Sequence, residues 1–87
     1  MIGILGGGQL GRMLALAGYP LGLSFRFLDP SPEACAGQVG ELVVGEFLDE
    51  GALLRFAEGL ALVTYEFENV TVKAARRLEG RHPLFPP

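Results

Sequence analysis

The sequence predicts an α/β domain built on a parallel sheet with strand order 3-2-1-4 and helices on both faces. Three observations carry that prediction. Short apolar runs alternate with stretches of helical periodicity along the chain, the pattern of strand–helix units joined by right-handed crossovers. A glycine cluster, Gly6-Gly7-Gly8-Gln9-Leu10-Gly11, stands between the first apolar run and the first helical stretch, where a strand must turn tightly into a helix. The 87 residues, 49% of them hydrophobic, suit a single core, since a chain of this size buries roughly 60–65% of its unfolded surface. One domain over residues 1–87 is expected, its sheet stopping after about four strands.

Met1–Leu5 is a short apolar run ending in three glycines, which reads as a buried strand feeding a turn. From Gln9 to about Gly18, Leu10, Met13, Leu14 and Ala17 recur at the spacing of one apolar helical face. Pro20 and Gly22 punctuate the chain before a second strand, Leu23–Leu28, with Asp29 at its tip. Two prolines in Asp29-Pro30-Ser31-Pro32 remove ladder donors, so the chain must leave the sheet there. Ala34–Gln38 is short enough for a turn or one helical turn. Leu42–Val44 is the third strand.

Asp49 has the chemistry of an N-cap for a helix over Glu50–Glu58, with Leu53, Leu54 and Ala57 facing inward and Gly59 just past its end. Ala61–Tyr65 is the fourth strand, followed by Glu66-Phe67-Glu68-Asn69. A last helix is expected over Val72–Leu78, stopped at Gly80. His82–Pro87 has the makings of a fifth strand left incomplete. The units Val43–Gly59 and Val63–Gly80 share one plan, strand, Glu-Phe, helix, Glu-Gly. Two copies are too few for a solenoid and read as successive units of one sheet.

In the order 3-2-1-4 the fourth strand lies beside the first, about 4.8 Å away. The glycine turn and the Glu66–Glu68 segment then become neighbours at the C-terminal edge, where the strand order reverses and such folds bind ligands.

Composition excludes several classes. Seven Lys and Arg against ten Asp and Glu give a net charge of −3, and the pI is near 5.0. That leaves no basic surplus for a nucleic-acid surface. The longest apolar run, Leu14–Phe25, carries Pro20 and falls well short of the ~20 residues that span a bilayer. The first residues lack the basic region of a signal peptide, so no membrane association is expected and the cytosol is the expected compartment. One cysteine, Cys35, forbids an internal disulfide and a cysteine-rich metal site.

Chemistry concentrates at the predicted edge. Gly6–Gly11 contains G-x-G-x-x-G after a strand and at a helix start, where free N–H groups can meet an anion. Asp29 comes eighteen positions after Gly11, matching the acid that holds a ribose diol in dinucleotide-binding folds. Packing alone would also explain Gly8 and Gly11. Gln9 brings an amide able to donate and accept. Glu66 and Glu68, in an extended segment, point to one side and Phe67 to the other. Two acids beside a glycine turn would repel a diphosphate, and suit ribose hydroxyls or an amine better. That weighs against NAD.

Elsewhere the signals are bland. His82 has no second metal ligand at a useful spacing, so no metal site is expected. Cys35 has no histidine nearby and reads as an idle thiol. Arg76, Arg77 and Arg81 suit the solvated end of the last helix. The single lysine, Lys73, lies in a helical stretch and there is no G-x-x-x-x-G-K-[ST], which excludes P-loop ATP binding.

Three blocks taken together, Ile2–Leu14, Phe27–Pro30 and Thr64–Val70, resemble the N-terminal domain of the 5-(carboxyamino)imidazole ribonucleotide synthases. These are the ATPase subunits of phosphoribosylaminoimidazole carboxylase, purine-biosynthesis ligases of the ATP-grasp superfamily. The similarity runs over nearly all of residues 1–80. It implies a Rossmann-like domain that holds aminoimidazole ribonucleotide, which the whole enzyme joins to bicarbonate with ATP and Mg2+. By position, Gly8, Gln9 and Leu10 would approach that substrate and Glu68 would accept from its ribose hydroxyls or amine. Asp29 is a further candidate, and Glu66 would contact substrate or turn inward to fix the loop.

Family members continue into an ATP-grasp domain and a C-terminal domain, which supply the nucleotide lysines and metal carboxylates. Residues 1–87 therefore read as an N-terminal piece without catalytic residues or a cofactor of its own, inactive alone. Its expected partners are the remaining synthase domains, in a family usually homodimeric. Two other classes stay open: a stand-alone NAD- or nucleotide-binding domain, and a non-enzymatic assembly module using the exposed sheet edge.

Overall fold

In a computed structural model, the described residues are 1–65, 69–79 and 83. Four strands, β1 (Ile2–Leu5), β2 (Phe25–Asp29), β3 (Glu41–Val44) and β4 (Leu62–Tyr65), alternate with helices α1 (Gln9–Gly18), α2 (Glu50–Ala57) and α3 (Asn69–Leu78). All pairings are parallel and the order is β3-β2-β1-β4. The order read from the sequence is the one observed.

Strand parity divides the core in two. Ile2, Ile4, Phe25, Phe27 and Leu42 face α1, where Ala15 and Ala36 complete the cluster. Leu5, Leu28, Val43, Val63 and Tyr65 face α2 and α3, against Leu53, Phe56, Ala74, Ala75 and Leu78. Phe27 and Phe56 are fully buried, each worth roughly 1.5–3 kcal/mol by area.

The apolar face read for α1 does not meet the sheet. Leu10, Met13 and Leu14 are 63%, 61% and 51% exposed, and Ala17 is exposed too. The buried stripe is Gly11, Ala15 and Gly18. Close approach is the reason. A Cβ at Gly11 would lie 2.8 Å from the Gly6 carbonyl oxygen, and one at Gly18 would lie 2.5 Å from the Phe25 ring. The aromatic rings of β2 fill the space that side chains on that stripe would otherwise occupy.

Asp49 caps α2 as expected, its Oδ1 accepting from the N–H of Gly51 at 2.9 Å and of Ala52 at 3.5 Å. Leu54, expected inward, is 60% exposed. The inward stripe is Ala52, Leu53, Phe56 and Ala57, so Leu54 falls on its solvent side. Helix α3 starts a turn earlier than its apolar residues suggest. Its buried stripe opens on Thr71 and continues through Ala74, Ala75 and Leu78, and a polar first member hides the period.

The fifth strand expected over residues 82–87 lies outside the described residues except for Pro83, whose carbonyl accepts the Val63 N–H at 2.8 Å. Among the described residues, no helix is long and apolar enough to cross a membrane.

Candidate functional site

Parallel register assembles the site at the C-terminal edge of the sheet. Leu5 pairs with Leu28 on one side and with Tyr65 on the other. Asp29, the residue after Leu28 and the last of β2, therefore lies beside Gly6 at this edge. Gly6 turns the chain at φ 114°, in a region that side chains rarely adopt, while its N–H donates to the Leu28 carbonyl at 2.9 Å.

Gly7 is held from two directions. Its N–H donates to Asp29 Oδ2 at 2.9 Å, and its carbonyl accepts from the Ala36 N–H at 2.9 Å. The Cys35 thiol donates to the same carbonyl at 3.8 Å. A Cβ on Gly7 would lie 3.1 Å from the Cβ atoms of both Asp29 and Ala34, so the turn sits tightly against its brace.

Asp29 also fixes its own loop. Oδ1 accepts the Ser31 N–H at 2.9 Å, and Ser31 Oγ accepts the Glu33 N–H at 3.2 Å. These successive side-chain-to-backbone turns carry the chain off β2 without a ladder and into a 3-10 turn at Cys35–Gln38. Both Asp29 oxygens are thus engaged in building the site.

Helix α1 begins at this turn. Gly8 is its N-cap in an extended conformation and makes no side-chain cap, and the Arg12 N–H donates to the Gly8 carbonyl at 3.0 Å. First-turn N–H groups carry partial positive charge and favour an acceptor or anion at this end. Gln9 and Leu10 are exposed there and Gly8 is half-buried. The structure therefore brings Gly8, Gln9, Leu10 and Asp29 to one edge. Glu66 and Glu68 lie outside the described residues.

Sequence reasoning missed the brace from Cys35 and Ala36, and the second role of Asp29. A signal for the latter existed, since Asp-Pro-Ser after a strand is a pattern for a carboxylate-backed turn. It missed Arg26 as well. That side chain, 14% exposed, pairs with Glu41 Oε1 at 3.2 Å and donates to the Phe56 and Glu58 carbonyls at the end of α2. Lys73 is exposed on α3, and among the described residues no three His, Cys, Asp or Glu side chains are grouped to hold a metal ion. A hollow of about 490 Å³ between α2 and α3, lined by Glu50, Leu53, Leu54, Arg77 and Leu78, lies apart from the glycine turn.

Comparison with known proteins adds to this geometry. The model of the ribonucleotide synthetase preATP-grasp domain matches residues 1–87. The N5-carboxyaminoimidazole ribonucleotide synthase of Pseudomonas aeruginosa is 49% identical over 85 residues, which is 98% of this chain and 24% of that protein. The crystal structure of N5-carboxyaminoimidazole ribonucleotide synthetase from Thermus thermophilus is 95% identical with a TM-score of 0.95, covering 100% of this chain and 24% of that one. The Staphylococcus aureus synthetase complexed with ADP is 34% identical with a TM-score of 0.85, covering 95% and 23%. The chain thus spans about a quarter of the length of the relatives it matches.

Proposed function

Because the chain belongs to the ribonucleotide synthetase preATP-grasp domain family, we propose that it is the N-terminal, substrate-holding part of an N5-carboxyaminoimidazole ribonucleotide synthase. In that reading the whole protein is an ATP-dependent ligase of purine biosynthesis, and residues 1–87 help hold aminoimidazole ribonucleotide while bicarbonate is joined to its amine. The observation that carries the reading is the braced glycine turn, with Asp29 bonded to the Gly7 N–H and the start of α1 left without a side-chain cap.

The roles follow from the chemistry of the ligand. Aminoimidazole ribonucleotide offers a ring nitrogen acceptor, an exocyclic amine and ribose hydroxyls. The Gly8–Leu10 backbone brings the ligand close at the start of α1. The Gln9 amide complements both donor and acceptor groups. Glu68 accepts from the hydroxyls or the amine, and Glu66 contacts the substrate or turns inward to fix the loop. Asp29 acts as a positioning residue: it holds the turn rather than facing a nucleotide ribose, which favours this ligand over NAD.

ATP supplies the phosphoryl group that activates bicarbonate. Residues 1–87 are poorly suited to holding it, because their lone lysine sits on α3 and no phosphate-binding lysine motif is present. Nucleotide and metal binding are assigned to sequence outside this chain, which alone neither hydrolyses ATP nor forms a carbamate.

The test is phosphate release from ATP with bicarbonate and aminoimidazole ribonucleotide, by a synthase-length chain carrying residues 1–87. Substrate-dependent turnover is expected, with Gln9→Ala and Glu68→Gln each raising KM for the ribonucleotide. Turnover without any ribonucleotide dependence would overturn the reading. A thermal shift of the 87-residue chain by millimolar NAD, absent with aminoimidazole ribonucleotide, would replace it with the dinucleotide alternative.

A further inference from the structure

A groove of about 470 Å³ opens between α1 and β4 on the face opposite α2 and α3. Ile2 and Ile4 of β1, Leu62 and Thr64 of β4, and Leu14 and Leu21 line most of it. Thr64 is the one polar side chain among these six. Leu14 is 51% exposed and Leu21 76%; Leu23, which also lines the groove, is 40% exposed, and Leu10, one turn before Leu14 on α1, is 63% exposed. Monomeric proteins seldom expose contiguous apolar patches above a few hundred Å² without a partner for them.

Topology limits what can cover this face. Going from β1 to β2 the chain steps toward one edge of the sheet, and from β3 to β4 toward the other. Right-handed crossovers then place α1 and α2 on opposite faces. Pro83 accepts the outward N–H of Val63 at 2.8 Å, which puts Pro83 at the edge of β4 away from β1, in the direction of the previous step. The next crossover in that direction would again put its helix beside α2 and α3. It would leave the groove open.

We propose that the groove is the docking site of a later segment of the synthase chain, an apolar helix or strand from outside residues 1–87. This rests on the reading of the chain as part of a longer synthase, since the relatives are about four times its length. The almost wholly apolar lining fits a permanent intramolecular cover, because transient interfaces carry more polar contact.

Hydroxyl-radical footprinting of Leu14 and Leu21 tests this in two proteins: the 87-residue chain and a synthase-length chain that carries it. Oxidation of both leucines is expected to fall several-fold in the longer chain, equally at every point of a wide dilution series. Equal oxidation in the two proteins overturns the proposal. Protection that disappears on dilution overturns it as well, and identifies a second copy as the occupant. Leu14→Lys gives an independent readout: it should lower the thermal midpoint of the longer chain and leave that of the 87-residue chain unchanged. Equal midpoint changes in both would count against docking. Ribonucleotide-dependent ATP hydrolysis, measured on the same longer chain, separates the two readings. Protected leucines in a chain with no such activity would leave the docking site standing and remove the substrate assignment.

Discussion

The carboxylate of Asp29 accepts the backbone N–H of Gly7 at 2.9 Å, joining the tip of β2 to the turn that follows β1 across twenty-two residues of sequence. A helix-starting turn made of three glycines is entropically expensive to order. This bond, together with the Ala36 N–H on the Gly7 carbonyl, removes much of that freedom. Hydrogen bonds to a charged group contribute about 1.5–3 kcal/mol, and the half-buried setting of Asp29 places this one toward the lower end. Asp29→Ala should therefore cost about 1–2 kcal/mol in urea unfolding. Asp29→Asn, which keeps one oxygen acceptor, should cost less. An unchanged midpoint in Asp29→Ala would show that the turn holds its shape without the carboxylate.

Two glycines in helices should respond in opposite directions to alanine. Alanine is favoured over glycine in a helix by up to about 1 kcal/mol. At Gly51 the new Cβ meets only Asp49 Oδ1 at 3.4 Å and the Arg55 guanidinium at 3.6 Å, both able to give way. Gly51→Ala should stabilise, by a few tenths to about 1 kcal/mol. At Gly11 the Cβ would stand 2.8 Å from the Gly6 carbonyl oxygen and 3.1 Å from the Phe27 ring. Overpacking of that kind costs about 1–3 kcal/mol, and Gly11→Ala should destabilise despite its better propensity. Chemical denaturation of the pair settles it: the same sign for both would mean that α1 can move off the sheet.

The same contrast explains what was legible in the sequence. Strand existence, helix existence and the Asp49 cap depend on local pattern, because runs such as Ile2–Leu5 and Leu62–Tyr65 declare themselves over four residues. The orientation of α1 does not. Its leucines mark an apolar face by period, yet which face meets the sheet is decided by Phe25 and Phe27, whose rings leave room only for Gly11, Ala15 and Gly18. That is a tertiary fact. The candidate site divides similarly. Its place at the sheet edge follows from topology, whereas the double engagement of Asp29 depends on the path of the loop through Ser31 and Cys35.

Capping at α2 gives a modest, well-defined effect. Asp49 accepts two first-turn N–H groups and sits at the positive end of the helix dipole. Asp49→Ala should cost about 1 kcal/mol, and Asp49→Ser markedly less, because serine also caps well. Hydrogen exchange should show the change first in the α2 amides, before the β1 and β2 amides are affected. A uniform loss of protection would mean that α2 does not open separately from the sheet.

The far end of α2 is tied down by Arg26, and the partners of that side chain differ sharply in setting. The Phe56 and Glu58 carbonyls are terminal acceptors of the helix, which otherwise lack intrahelical donors; Arg26 reaches the former at 2.9 Å. Glu41 Oε1, at 3.2 Å, belongs to a side chain 53% exposed, where an ion pair contributes at most about 1 kcal/mol and is screened by salt. Arg26→Met should therefore cost about 1.5–3 kcal/mol, the range for bonds to a charged donor, with most of the loss persisting at high salt. Glu41→Gln should cost under about 1 kcal/mol, nearly all of it gone in molar salt. Denaturation of both variants at low and high ionic strength separates the contributions. If the Arg26→Met loss disappeared with salt, the ion pair rather than the helix carbonyls would be what holds this corner.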